Sequence, residues 1–304
     1  MVGNPQKDGR SLPVRNTPQG RNVIVSRKVS RSRAGDAFVF LVLAAFGLFM
    51  FFPFLYAIIQ SFKPMQEIFR FPPRFWVENP TLENYALIPS LVDNLWIPFG
   101  RYVFNSVFVS VTGTALHILI VSLAAFPLAK YRFPGSRVYF EIIIISLLFT
   151  GTVTALPLYV LMAKTGMINT YLALLLPEMA APFGLFLMKQ FMSIIPDAIL
   201  EAGQIDGANK MAILWRVVMP NVKPAWLTLL IFVFQSYWNG AGSGYIYSEN
   251  LKLLPTALGQ IATSGLARAG SGAAIAVLLM LPPLTMFVFS QSRIIETMAH
   301  SGIK

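Results

Sequence analysis

The sequence predicts an all-α, polytopic membrane protein with six transmembrane helices. Its 304 residues are 55% hydrophobic and only 12% charged, a composition outside the range of soluble globular domains. Long apolar runs alternate with short polar segments along the chain, the pattern of a protein that crosses a bilayer repeatedly. The chain contains no cysteine, so disulfides and thiolate metal sites are excluded.

Residues 1–36 are predicted to form a basic, disordered or membrane-surface cytoplasmic tail. This stretch is polar, contains three prolines and carries eight basic residues against two acidic ones. Basic segments next to a span are attracted to anionic lipid. The apolar run that follows is too long for a secretory signal and lacks a cleavage site. Nucleic-acid binding is not expected without a folded basic module.

The remainder of the chain, residues 37–304, is predicted to form six spans. The first has no charged residue over 23 positions, about 35 Å of helix for a hydrocarbon core of about 30 Å. The fifth has polar residues at both ends and therefore the least defined limits. The predicted spans are 37–59, 102–129, 142–163, 170–188, 225–238 and 271–290.

The basic residues predict the orientation of these spans. With the N-terminal tail inside, the inner segments carry 17 Lys and Arg residues and the outer segments carry 7. This bias agrees with the positive-inside rule. Both termini are therefore predicted to be cytoplasmic, together with the long polar loop at 189–224.

The most polar part of the second half is the stretch EAGQIDGANKMAILWRVVMP at Glu201–Pro220. Pro196 and Asp197 suit a helix start, after which Ile199, Ala202 and Ile205 share one helix face. Gly207 permits a sharp turn. A second amphipathic helix with Met211, Leu214, Trp215 and Val218 on one face is predicted to follow and to end at Pro220.

The spacing of this stretch resembles the EAA loop of bacterial ABC importer permeases. The matching residues are Glu201, Ala202, Gly203, Gly207, Val217, Met219 and Pro220. Gly203 stands where alanine is usual, and Met219 where leucine is usual. The strings IDGAN at 205–209, TLENY at 81–85 and FPLAKYRFPG at 126–135 are similar to the carbohydrate branch of that family. The resemblance covers residues 37–304.

The resemblance implies the type I permease fold of an ABC importer and the transport of a carbohydrate, in particular an oligosaccharide, by alternating access. It implies as partners a second homologous permease, a cytoplasmic ATPase dimer and an extracytoplasmic solute-binding protein. The chain has no Gly-Lys dipeptide and hence no phosphate loop, so ATP and Mg are expected on the ATPase. The ATPase-docking residues are expected to be Ile199, Glu201, Ala202, Gly203, Ile205, Asp206, Gly207, Ala208 and Pro220.

An amphipathic helix on the lipid surface is the alternative interpretation of this stretch. Such helices usually carry Lys and Arg on their polar face. Here Glu201 and Asp206 accompany Lys210 and Arg216, which favours docking to a protein.

Candidates for sugar contact are aromatic and amide side chains near the ends of spans. They are Tyr159, Asn169, Tyr237, Trp238 and Asn239, and their alternative role is interface anchoring. Glu178, inside the fourth predicted span, is a further candidate for the pathway. By resemblance to maltose-type permeases, the loop after the fifth span contacts the binding protein through Gly240, Gly242 and Gly244; it is expected to be flexible.

The sequence is also compatible with a second functional class. Glu178 and His117 are ionisable residues within predicted spans, which would suit an ion-coupled secondary transporter. The sequence contains no hydrolase elbow, no HExxH and no clustered metal ligands, so neither catalytic residues nor a metal site are predicted. The outer basic residues only hint at an acidic ligand, because five acidic residues accompany them.

Overall fold

The computed structural model describes residues 33–93, 97–149, 151–262 and 269–301. Within these ranges every regular element is a helix. The chain divides into two compact units, Met1–Phe51 and Phe52–Lys304. Most of the predicted tail at 1–36 lies outside the described residues. Its last four positions begin the first helix.

Helix α1 spans Arg33–Ser61, so the boundary between the units falls inside it. In the first unit, its side chains from residue 34 to 51 are nearly all exposed, including Phe40, Leu48 and Phe49. An apolar helix without a protein core around it is suited to lipid or to a partner helix.

The second unit contains the end of α1 and the remaining helices. They are α2 (Met65–Ile68), α3 (Glu83–Asp93), α4 (Phe99–Lys130), α5 (Ser136–Ser146), α6 (Gly151–Lys164), α7 (Tyr171–Met179), α8 (Pro182–Ile194), α9 (Asp197–Ile205), α10 (Lys210–Ala212), a π-helical segment (Ile213–Val218), α11 (Met219–Asn221), α12 (Lys223–Trp238), α13 (Leu254–Ala262) and α14 (Ala269–Ser301). Short 3₁₀ turns at Ser243–Tyr245 and Glu249–Leu251 lie between α12 and α13.

Three described helices are long and apolar enough to span a membrane alone: Ala34–Ser61, Phe99–Lys130 and the first 23 residues of α14. Three further candidates are bent helix pairs, which brings the number to six if each pair is one span. The predicted run at 142–163 falls on α5 and α6, and the run at 170–188 falls on α7 and α8.

The break between α7 and α8 follows from the sequence at its centre. Pro182 lacks a backbone N–H, and the residue before a proline is disfavoured in the helical region. Ala181 accordingly adopts φ −60° and ψ 123°, and the two helices are bent by 42°. The run that hydropathy predicts to be one span therefore consists of two helices with a bend near the middle.

Helix α4 lies at the centre of the second unit and packs along α8, α12 and α7. Its buried face carries small and polar residues, including Asn105, Ser106, Ser110 and Gly113. Toward its C-terminal end it joins one hydrophobic cluster with α8 and the segment after it. Toward its N-terminal end it joins a second cluster with α7, α12 and the loop after α12.

Candidate functional site

Helix α9 presents an apolar face to the surroundings and a different face to the core. Ile205 is 86% exposed, and Ile199 and Ala202 are exposed on the same side. Leu200 is only 5% exposed and belongs to the hydrophobic cluster with Ile213 and Leu214. The side predicted to dock therefore lies open, while Leu200 anchors the helix.

Gly207 ends α9 with φ +80°, a conformation that only glycine adopts without strain. The amide of Ala208 donates to the carbonyl of Gly203, and that of Gly207 donates to Gln204, both at 3.0 Å. This pair of bonds is a Schellman motif, which satisfies the last carbonyls of the helix. The turn predicted at Gly207 is thus a defined helix cap.

The helical stretch after this turn differs from the predicted amphipathic helix. Asn209 caps it, since its Oδ1 accepts a hydrogen bond from Ala212 N at 2.7 Å. Ile213, Leu214 and Val218 are buried, but Met211 and Trp215 are exposed. The π-helical segment Ile213–Val218 has more residues per turn than an α-helix, which rotates the buried face away from the α-helical spacing.

The sequence predicted that this helix ends at Pro220, which is wrong. Helix α11 continues through Pro220 to Asn221. A proline inside an α-helix removes one N–H and collides with the carbonyl four residues earlier. The wider π turns precede Pro220 directly and relieve that collision. The direction of the chain changes only at Val222, where Lys210–Asn221 and the following helix are bent by 83°.

The end of α4 holds the start of α9. The Nζ of Lys130 lies 2.8 Å from Asp197 Oδ1. The Lys130 side chain is 4% exposed, whereas the Asp197 side chain is 75% exposed. Lys130 Nζ also donates to the carbonyl of Ile195. Lys210 Nζ lies 4.8 Å from the ring centre of Tyr131. These contacts attach the start of α9 and the start of α10 to the C-terminal end of α4 and to Tyr131, the residue that follows it.

Tyr237 and Trp238, two of the predicted sugar contacts, are buried in the structure. The Tyr237 hydroxyl donates to Leu175 O at 2.7 Å, and its ring lies against Gly113, where a Cβ would come within 2.5 Å. Trp238 Nε1 donates to Leu279 O at 2.8 Å. Both side chains thus connect helices, and neither faces an open cavity here.

His117 and Glu178 lie close together in the structure, but the contact involves the backbone of Glu178 and not its carboxylate. His117 Nδ1 lies 3.0 Å from the backbone carbonyl of Glu178. In an unbroken helix that carbonyl would accept from residue 182, which is a proline without an N–H. Ala181 N donates to this carbonyl at 3.1 Å and His117 supplies a second donor, while the absence of a Cβ at Gly184 gives the His117 ring space. The Glu178 side chain pairs instead with Ser236.

Asn169 and Tyr159 meet the loop that follows α12. Asn169 has φ +60°, and its Oδ1 accepts from the amides of Tyr247 and Ser248 at 2.6 and 3.0 Å. The Tyr159 hydroxyl lies 3.4 Å from that of Tyr247. The hydrogen bond with Tyr159 raises the pKa of Tyr247. In this arrangement Asn169 holds the loop, and the exposed Tyr247 remains accessible.

The glycine-containing loop after α12 is firmly packed, unlike the flexible loop that the sequence predicted. Gly242 has φ +79°, and a Cβ there would lie 2.6 Å from Ala173 O on α7. Gly240 also has a positive φ, whereas Gly244 has open space around it. Ile246 and Leu253 are buried. Of the three predicted contact glycines, Gly244 is the exposed one.

Polar side chains of α4 bind the carbonyls and amides of this loop. Asn105 Nδ2 donates to Asn250 O and Lys252 O at 2.9 and 3.1 Å. Ser106 Oγ accepts from Leu254 N at 2.7 Å, and Tyr102 donates to Glu249 Oε2 at 3.1 Å. Because buried backbone groups need partners, these side chains explain why the loop folds onto α4.

Asn239, the last predicted sugar contact, lines a groove of about 430 Å³ between α12, α14 and the end of α1. Gln235 lies one helical turn before it and faces the same groove. The other lining residues are apolar: Phe54, Ile231, Ala276, Leu279, Met280, Pro283, Leu284 and Phe287.

Four further residues shape these sites without having been predicted from the sequence: Asn209, Leu200, Lys130 and Gln235. Asn209 directly precedes an apolar helical pattern, which is a recognisable N-cap signal. Leu200 lies between the exposed residues of α9 in the sequence, but only the tertiary packing shows its burial. Lys130 and Gln235 act through partners far away in the chain, so no local pattern identifies them.

Comparisons with known proteins point to one class of membrane protein. The profile described as "Binding-protein-dependent transport system inner membrane component" matches residues 23–298. The arabinooligosaccharides transport system permease protein AraQ of Halalkalibacterium halodurans is 29% identical, over 83% of this chain and 91% of its own length. The sn-glycerol-3-phosphate transport system permease protein UgpE of Yersinia enterocolitica is 28% identical, over 90% of this chain and 99% of its own length.

A solved structure has the same architecture. It is the crystal structure of a bacterial ABC transporter involved in the import of the acidic polysaccharide alginate. One of its chains matches with a TM-score of 0.74 and 22% identity, over 86% of this chain and 98% of that chain. The two chains therefore share a fold.

Proposed function

This chain belongs to the family of inner membrane components of binding-protein-dependent transport systems, and we propose that it is the permease subunit of an ATP-driven carbohydrate importer. Its cargo is an oligosaccharide that an external binding protein delivers. Its partners are a second, homologous permease and two copies of a cytoplasmic ATPase, which bind ATP and Mg. Both of its termini lie in the cytoplasm.

The observation that carries this proposal is the two-sided packing of α9. Its outer face is apolar and exposed at Ile199 and Ile205, while Leu200 is anchored in the core. Exposed apolar patches next to polar residues mark protein interaction sites. A helix that is fixed on one side and apolar on the other is suited to insert into a cleft of a partner.

The anchoring also indicates how movement of the ATPase reaches the spans. Lys130 and the hydrophobic cluster tie α9 to α4 and α8. When ATP closes the ATPase dimer, α9 is displaced and moves these helices with it. Packed helices shift as rigid bodies because their interiors do not deform continuously. Access to the pathway then changes from the outer to the inner side.

An ion-coupled secondary transporter using Glu178 is not favoured. The family to which the chain belongs is described as part of binding-protein-dependent systems. In addition, His117 bonds to the Glu178 carbonyl, so the two ionisable side chains do not form a relay through the carboxylate. Uptake by this chain alone, driven by an ion gradient in liposomes, would reinstate that alternative.

The docking function is tested with Ile205→Asp in the complete transporter. This residue is 86% exposed and makes no contribution to the core, so the change leaves folding intact. A charge placed in an apolar cleft remains unpaired, which lowers retention of the ATPase during co-purification and lowers ATP-driven uptake about 10- to 30-fold.

Leu82→Asp is the matched control for this variant. Leu82 is also an exposed apolar residue, and it lies before α3, far along the chain from α9. Retention of the ATPase should match the wild type. Full retention and full uptake in the Ile205→Asp transporter would remove the docking proposal.

A further inference from the structure

The segment at 63–79, which lies between α1 and α3, is closed on itself. Thr81 N donates to Phe62 O at 2.9 Å, so the two ends of the segment meet. Within the segment, Glu67 Oε1 accepts from the backbone and side-chain amides of Asn79 at 2.8 and 3.1 Å. This α1–α3 loop therefore has a defined shape.

Phe75 holds the α1–α3 loop against the side of α1. Its ring stacks on Phe52 with the ring centres 5.2 Å apart, and it lies 6.0 Å from the ring centre of Tyr56. Lys63 Nζ, close to the end of α1, donates to the carbonyl of Arg74, the residue before Phe75. The loop thus folds back along α1 and does not project from its end.

The position of Phe52 along α1 gives the depth of this contact in the bilayer. The candidate span Ala34–Ser61 has 28 residues. Its length of about 42 Å exceeds a hydrocarbon core of about 30 Å by about 12 Å. Phe52 lies about 13 Å before Ser61 along the helix axis, so it reaches the core even if the whole excess extends on this side. Phe75 therefore lies at the level of the lipids, below the surface that a soluble partner reaches.

Three large apolar side chains of the α1–α3 loop are exposed. Phe69 is 54% exposed, Phe71 91% and Trp76 67%. Trp76 packs edge-on against Phe75 with the ring centres 5.2 Å apart, so it shares the depth of Phe75. Tryptophan is enriched at membrane interfaces because its ring is apolar and its N–H is polar. Contacts between membrane helices favour small residues instead, so these side chains suit lipid better than a second permease.

The charged groups of the same stretch are compatible with contact to lipid. Arg70 and Arg74 both pair with Glu78, which lowers the cost of placing their charges near hydrocarbon. The side chains of both arginines are 54% exposed. Long basic side chains at this level extend toward the headgroups while their stems stay in apolar surroundings.

We propose that residues 69–76 insert into the lipid leaflet beside α1 and anchor this end of the helix. The partner is phospholipid: the exposed rings contact the upper acyl chains, and the arginines face the headgroups. This interaction surface is separate from the proposed function, because neither ATPase docking nor the cargo enters it.

The first test measures the surroundings of Phe71 in the complete transporter, with cysteine-free partner subunits, in a bilayer. This chain has no cysteine, so Phe71→Cys introduces a single site for a fluorescent label. Glu83→Cys is the control, since Glu83 is exposed and charged in the first turn of α3. A phospholipid with a nitroxide near the top of its acyl chain should quench the label at position 71 at least about threefold more than at position 83. Aqueous iodide should show the reverse preference.

Two results of this experiment would overturn the proposal. Iodide quenching at position 71 as strong as at position 83 would place the α1–α3 loop in water. Weak quenching by both reagents at position 71 would show that protein, such as the second permease, covers the loop in place of lipid.

The second test leaves the loop without a label. The chain has five tryptophans, so the signal of Trp76 is the fluorescence of the wild type minus that of Trp76→Phe. Lipids brominated on their acyl chains should reduce this difference by at least about half. Trp238→Phe is the control, because Trp238 is buried between helices. A Trp76 signal no more sensitive to bromine than that of Trp238 would contradict insertion, and the importer function would be unaffected by that result.

Discussion

The segment from α9 to α11 and the loop from Asn239 to Leu253 are both glycine-containing connections, yet they differ in how many of their apolar side chains stay exposed. The first keeps Ile205, Met211 and Trp215 exposed. The second buries Ile246 and Leu253 and binds its backbone to side chains of α4. Glycine content therefore does not distinguish the two segments. The exposed apolar side chains mark the segment that is available to a partner, whereas the loop is packed against helices of its own chain.

The largest expected effect is on the packed loop, at Gly242. A Cβ in Gly242→Ala would meet backbone atoms of α7 at 2.6 Å and would also occupy a positive φ. Strain and overpacking together should lower the free energy of unfolding by about 2–5 kcal/mol. Thermal unfolding of the purified protein in detergent measures this.

Gly244→Ala is the control for that change, since no atom lies within 4 Å of its added Cβ. Its melting temperature should remain close to that of the wild type. Equal stability of both variants would mean that the loop is not held against α7.

An intermediate effect is expected at the cap of α9, in Gly207→Ala. No neighbouring atom obstructs the added Cβ, so the cost is the left-handed backbone alone, about 1–2 kcal/mol. The Schellman bonds weaken and the exposed face of α9 loses its fixed direction. Lower ATP-driven uptake at unchanged ATP hydrolysis would report this loss, whereas wild-type uptake would show that the cap does not orient α9.

The smallest effect is expected at Gly203, where the chain departs from the usual alanine. A Cβ there would lie 3.6 Å from Ile213 Cγ1, an ordinary contact. Gly203→Ala should therefore raise stability by about 0.5–1 kcal/mol through helix propensity and leave uptake intact. A fall in melting temperature would contradict this account of the α9 interior.

Much of the architecture could be predicted from the sequence. The all-α permease fold is confirmed by the family match and by the shared fold. The shared face of Ile199, Ala202 and Ile205 follows from helical periodicity, and the structure leaves that face exposed. Their docking role, like that of Glu201 and Asp206, remains a prediction.

The sugar-contact candidates show where local patterns fail. Three of the candidates are consecutive in the sequence, and each has a side chain that could contact a sugar: Tyr237, Trp238 and Asn239. The structure buries the first two between helices and turns only Asn239 toward the groove. Side chains that are 100° apart on a helix meet different neighbours, and those neighbours come from distant parts of the chain.

By itself, the sequence determined the membrane character of this protein, its helical class, and the turn at Gly207. These depend on composition, period and local backbone freedom. Only the tertiary structure decided that the loop around Gly242 is packed and that Gln235 and Asn239 share a groove. Hydropathy sums transfer energies without direction, whereas burial is fixed by which distant helices meet.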